Sequence, residues 1–141
     1  MGSNYQKIAV AIDFSDESLK SLNRAVKIAH DNEATLQIIN VIDTKSFGSI
    51  SAYDLKYADK LKVEHEEKMK ELLEQVQQAG VSNVETLVVK GNPKVILTDL
   101  EDVDLIVCGS TGLNQTEKFM LGSVSERIVR HAKCDVLVVR L

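Results

Sequence analysis

A chain of 141 residues, 44 % hydrophobic and 27 % charged, has the size and balance of one domain, 1–141, with a core of its own. Its net charge of −4, with no tryptophan and only three each of Phe and Tyr, argues against a nucleic-acid surface, which needs clustered cations and stacking rings. No apolar run approaches the length that spans a bilayer, about eighteen residues, and Cys108 and Cys134 lack metal-ligand spacing, so a soluble cytoplasmic protein with two small buried thiols is expected.

The elements alternate along the chain. Tyr5-Gln6-Lys7 leads directly into the β-branched run Lys7 to Ile12, which reads as a strand and leaves no apolar region of signal-peptide type. Gln6 also stands where a myristoylation motif wants Ser or Thr. Asp13-Phe14-Ser15 breaks the strand. Leu19, Leu22, Val26 and Ala29 then repeat at three and four, an amphipathic helix that Ser15 or Asp16 can cap. Thr35 to Ile42 is a second strand, and the polar stretch Asp43 to Ala52, with Gly48 and serines, reads as a loop.

A long helix follows with Ala58, Leu61, His65, Met69, Leu72, Leu73 and Val76 on one stripe, and Glu64–Lys68 and Glu66–Lys70 placed as i,i+4 pairs on its wet face. Ala79-Gly80 ends it. Val84 to Val89 is a third strand, and Asn92-Pro93 reads as the cap and first residue of a short helix lined by Val95, Ile96 and Leu100. Asp104 to Cys108 is a fourth strand, Val124, Ile128 and Ala132 mark a last helix, and Val136 to Val139 a fifth strand, expected at a sheet edge. Five near-continuous apolar strands alternating with four helices predict an α/β domain whose mainly parallel sheet is covered on both faces.

Between the fourth strand and the last helix stands Gly109-Ser110-Thr111-Gly112, then nine residues, then Gly122-Ser123-Val124-Ser125. Glycines there expose backbone N–H groups, and the helix start adds partial positive charge, so the loop suits a phosphate. The alternative is a plain turn without a ligand. Ser123 and Ser125 can join the N–H groups or simply cap the helix, and Lys118 can reach a phosphate or stay solvated. In an open α/β sheet, ligands bind beyond the carboxyl ends of the strands, which here carry Asp13, Val41 to Asp43, Gly91 and the glycine loop. Asp13 can bond a ribose hydroxyl or an adenine amine, hold a metal through water, or only shape the turn before Ser15.

Several nucleotide sites are excluded. The chain has no Gly-x4-Gly-Lys-Ser/Thr, and Asp13-Phe14-Ser15 replaces the Gly-x-Gly-x-x-Gly of a dinucleotide site. Val88-Val89-Lys90 stands where a phospho-receiver wants an aspartate, and none of His30, His65 or His131 pairs with a nucleophile motif. His65 is expected as a packed residue, and His30 and His131 near helix C-termini.

The segments Ile8 to Ser15, Asp104 to Ser110, the Gly-x2-Gly-x9-Gly-Ser loop and Cys134 to Val139 together resemble the universal stress proteins of single-domain, ATP-binding type. The resemblance covers essentially the whole chain and implies a Rossmann-like five-stranded parallel sheet in order 3-2-1-4-5. Carried over, it implies that Ala11 and Asp13 approach the adenosine and that Val41 meets the adenine through its main chain. Gly109, Gly112, Gly122 and Ser123 would surround the phosphates, with Val124 and Ser125 completing the helix start. It further implies Mg²⁺ or Mn²⁺ on the phosphates of ATP, ADP or AMP, and a homodimer joined along Val136–Leu141. Thr111 departs from the pattern, standing where relatives often carry a basic residue.

Three readings follow: a nucleotide-sensing stress-response module, a slow ATPase, and a nucleotide-independent dimeric scaffold. The first is favoured, because the glycines sit at set distances and no general base is placed for an attacking water.

Overall fold

The computed structural model describes residues 5–44, 52–110 and 121–140, the backbone alone for 52–55. The elements are β1 (Lys7–Ala11), α1 (Asp16–Asn32), β2 (Thr35–Asp43), α2 (Ala52–Gln78), β3 (Val84–Gly91), α3 (Pro93–Thr98), β4 (Leu105–Gly109), α4 (Ser123–His131) and β5 (Asp135–Val139). The strands form one sheet in the order β3-β2-β1-β4-β5, and every neighbouring pair is parallel. This is the expected architecture. Of the loop expected from Asp43 to Ala52, Asp43 instead ends β2 and Ala52 opens α2, while 45–51 and the centre of the glycine loop, with Thr111, Gly112 and Lys118, lie outside the described residues.

Alternation along each strand divides the core in two. Ile8, Val10 and Ile12 pack on the face covered by α1 and α2, with Leu22, Ala25, Met69 and Val76. Ala9, Ile39, Ile106 and Cys108 face α3 and α4 through Leu97 and Ile128. Ile8, Val10, Leu36 and Ile38 are fully buried, and each such side chain contributes roughly 1.5–3 kcal/mol over an exposed one. The central strands therefore carry no polar alternation, as a sheet covered on both faces requires.

Helix ends follow local chemistry. Ser15 caps α1, its Oγ accepting from the Ser18 N–H at 3.1 Å, with Asp16 and Glu17 in the first turn where the helix dipole favours acids. Asn92 caps α3 by accepting from the Lys94 N–H at 3.0 Å, and Pro93 takes the first helical position. The α1 C-cap is Glu33 in the left-handed region, φ 54°, where glycine or asparagine is commoner. The two i,i+4 pairs expected on α2 do not form. Lys68 instead lays its ammonium 5.0 Å from the centroid of the Phe14 ring, which its aliphatic stem and charge both favour.

Candidate functional site

The strand order reverses between β1, which runs on to β2, and β4, which runs on to β5. A crevice outside the carboxyl ends of β1 and β4 is where open α/β sheets admit ligands. Ala11 ends β1 opposite Ile39 of β2, and the chain then turns through Ile12, Asp13 and Phe14 into α1. The turn is built by side chains. Asp13 Oδ1 accepts from the Ser15 N–H at 3.0 Å and from the Ser15 hydroxyl, while the Asp13 N–H donates to Ser18 Oγ at 3.2 Å. Phe14 at the apex has φ 64°, a left-handed conformation uncommon for an aromatic residue. Asp13 is thus a turn-forming aspartate, as one expectation held, and lies half-buried at the strand mouth.

The exit of β4 is tied to two helices. Gly109 lies so close to α1 that a β-carbon there would come within 3.1 Å of Glu17 Cγ. Next to it the buried Ser110 hydroxyl donates to Glu17 Oε1 at 2.7 Å. Across the glycine loop the Gly122 N–H donates to the Ser110 carbonyl at 2.7 Å, and the Ser125 hydroxyl donates to the Gly109 carbonyl at 2.5 Å. The start of α4 is thereby held against the end of β4. Its N-cap, Gly122, has no side chain to occupy the first N–H groups, so Ser123 and Val124 present theirs beside the strand end. Ser125 spends its hydroxyl proton on that structural bond, which leaves its backbone N–H as the donor it can offer an anionic ligand.

On the other flank, Val41 lies in β2 opposite Val89, half-buried on the face of α3 and α4. Its neighbour Asn40 points to the opposite face and is 3 % exposed. Asn40 Nδ2 donates to the Ile12 carbonyl at 2.9 Å, and Asn40 Oδ1 lies 2.8 Å from His65 Nδ1 of α2. The carbonyl fixes the amide orientation, so Nδ1 carries the hydrogen and any further proton goes to Nε2. The His65 and Phe14 rings stand 4.9 Å apart at 60°. Burial, helped by Lys68 and opposed by Glu64, holds the imidazole below its ordinary 6.5. Thus α2 braces the Asp13 turn through Asn40 and Phe14.

The structure brings Ala11, Asp13, Gly109, Gly122, Ser123, Val124 and Ser125 to one end of the sheet, with Val41 one strand away. Thr111 and Gly112 lie outside the described residues. Asn40 and Glu17 escaped the sequence reading, and Ser110, though part of the glycine motif, carried no role of its own there. Asn40 had a signal, as the lone polar residue of Ile38-Ile39-Asn40-Val41-Ile42; Glu17, 93 positions from Ser110, had none. Among the described residues no group of three His, Cys, Asp or Glu could hold a metal by itself. Cys108 beneath the site is pushed up to about 11 by burial, which outweighs its hydrogen bond with Ser125, and so stays a neutral thiol.

Residues 4–140 match the sequence profile of the universal stress protein family. A Staphylococcus haemolyticus protein bearing a universal stress protein assignment is 46 % identical over 140 residues, covering 96 % of this chain and 85 % of its own. The universal stress protein UspA from Lactobacillus plantarum superposes with a TM-score of 0.87 at 28 % identity, over 96 % of this chain and 98 % of its own. A universal stress protein crystallised in complex with cAMP superposes at 0.73 with 33 % identity, over 97 % of this chain and 98 % of its own.

Proposed function

The chain belongs to the universal stress protein family, and from that premise we propose that it binds an adenine nucleotide, ATP, ADP or AMP, across the carboxyl ends of β1, β2 and β4 and serves as a nucleotide-sensing stress-response module. One observation carries the reading: the uncapped start of α4 is fastened to the end of β4 through Gly122 and Ser125, and β4 neighbours β1 at the point where the strand order reverses. N–H groups at such a helix start are donors for phosphate oxygens, and the dipole favours the anion.

In this reading Ser123, Val124 and the loop from Gly109 through Thr111 and Gly112 to Gly122 take the phosphates, and Ser125 adds its backbone N–H. Asp13 Oδ1 is committed to Ser15, so Oδ2 is the oxygen that would receive a ribose hydroxyl. Ala11 lies beneath the sugar and the Val41 main chain reads the adenine. A divalent cation, Mg²⁺ or Mn²⁺, would travel with the phosphates, since the described residues offer no separate ligand cluster. That a family member was crystallised with cAMP supports an adenine-nucleotide ligand.

The remaining expectations join this reading. β5 ends the sheet, with Val136 to Val138 half-buried, and would join a second copy into a homodimer. The free thiols Cys108 and Cys134 suit a cytoplasmic location. The reading is tested on the protein as purified: heat-denatured protein should release a compound absorbing as adenine and identified by mass as an adenine nucleotide, or the purified protein should melt at higher temperature when ATP–Mg²⁺ is added. Neither release nor a thermal shift would reject it.

A further inference from the structure

Glu17 is a buried carboxylate that stands outside the contacts proposed for the nucleotide. It lies in the first turn of α1, 7 % exposed, where the helix dipole favours an acid, and the Ser110 hydroxyl donates to its Oε1 at 2.7 Å. Ser110 is tied in three directions. Its N–H donates to the Val139 carbonyl of β5 at 3.1 Å, its carbonyl accepts from the Gly122 N–H at 2.7 Å, and its hydroxyl reaches α1. The Glu17 side chain also lies over Gly109, where a β-carbon would come 3.1 Å from Cγ and 3.4 Å from Oε1. Two residues earlier, Ser15 caps the same helix and bonds Asp13 Oδ1. One end of α1 therefore joins the Asp13 turn, through Ser15, to the entry of the glycine loop, through Glu17.

We propose that Glu17 is a positioning residue for the phosphate half of the site, holding Ser110 and, through it, Gly122 where the α4 start can receive a phosphate. The inference rests on the adenine-nucleotide reading above. With its N–H fixed to β5 and its hydroxyl fixed to Glu17, Ser110 has its backbone orientation set, and its carbonyl is aimed at the Gly122 N–H. That bond draws together the two ends of the glycine loop before any ligand arrives, so binding meets donors already in place. A carboxylate suits the task because a hydrogen bond to an ionised acceptor is shorter and stronger than one between neutral groups. As an anion Glu17 is no donor for a phosphate oxygen, and it acts through Ser110.

The test compares Glu17→Met, Glu17→Gln and Ser110→Ala in the full chain. Methionine fills the space of Glu17 without an oxygen, glutamine keeps the acceptor, and both remove the same charge, so only the bond to Ser110 separates them. Without ligand, amide hydrogen exchange followed by NMR should find the Gly122 N–H protected in the wild type and in Glu17→Gln. In Glu17→Met and Ser110→Ala it should exchange about tenfold faster, a change exceeding that at the Ile12 N–H, which bonds the Ile39 carbonyl of β2. Equilibrium dialysis with ATP–Mg²⁺ should show about tenfold weaker binding for Glu17→Met and for Ser110→Ala, and no further loss in the double variant. Glu17→Gln should bind within about twofold of the wild type. An unprotected Gly122 in the wild type, equal acceleration at Gly122 and Ile12, undiminished affinity in Glu17→Met, or an equal loss in Glu17→Gln overturns the proposal. The last result would assign Glu17 a role through its charge instead. A wild type that binds no ATP rejects the nucleotide reading itself, a result distinct from a binding wild type matched by Glu17→Met.

Discussion

Replacing Asn40 by alanine removes the hydrogen-bonded link between α2 and the turn that carries Asp13, leaving the Phe14 contacts. Asn40 makes two hydrogen bonds, to the Ile12 carbonyl at 2.9 Å and with His65 Nδ1 at 2.8 Å, at a position 3 % exposed. Each bond contributes about 1 kcal/mol net, and leaving a buried Ile12 carbonyl without its donor adds a further penalty of the order of 1 kcal/mol. The expected destabilisation is therefore about 2–4 kcal/mol, large against a typical total of roughly 5–15 kcal/mol. Urea unfolding of Asn40→Ala, His65→Ala and the double variant reads it out. Because both residues act on one bond, the double variant should be less destabilised than the sum of the singles by about 1 kcal/mol. A loss below about 0.5 kcal/mol for Asn40→Ala, or strict additivity in the cycle, would refute the bracing role.

Other outcomes follow from the same geometry. The folded His65 titrates below 6.5, held down by burial and Lys68 against the pull of Glu64, so the unfolded chain takes up its proton first. Its contribution to stability is complete above about pH 6.5 and is lost as pH falls toward the folded value, so His65→Gln should flatten the decline in melting temperature over that window. The Cys108 thiol, at about 11 and buried, should resist a thiol reagent at about pH 8 until the protein unfolds, whereas half-buried Cys134 reacts earlier; equal rates in the native state would contradict the packing. Gly109→Ala places a β-carbon 3.1 Å from Glu17 Cγ and should destabilise by about 1–3 kcal/mol, measured by urea unfolding, with the Ser110–Glu17 bond disturbed.

The element order was legible because its signals are local. Asn92-Pro93 fixed the start of α3, Ser15 the start of α1, and unbroken apolar runs marked strands covered on both sides. The two sides of the crevice were legible only as pieces. Gly109, Gly122 and Ser125 sit in a spaced motif, but the direction of the Ser125 hydroxyl, toward the Gly109 carbonyl rather than outward, is a product of how α4 docks. Phe14 gave no hint of its left-handed backbone, because its conformation is imposed by the Asp13–Ser15 bonds and by packing on His65. His65 read as a packed member of an apolar stripe, while its partner Asn40 is 25 positions away on another element. Side-chain bonds between distant elements leave no periodicity to read.

The central claim is that the α4 start and the glycine loop hold the phosphates of an adenine nucleotide. Calorimetric titration of ATP–Mg²⁺ into the wild type and into Gly122→Val tests it most directly. Gly122 has φ −63° and ψ 160°, which valine can adopt, so the variant should fold while its side chain crowds the N–H groups beside the strand end. The account predicts saturable heat with one nucleotide per chain for the wild type and none for Gly122→Val. Absence of heat in the wild type at about millimolar ATP, or undiminished affinity in the variant, would contradict it.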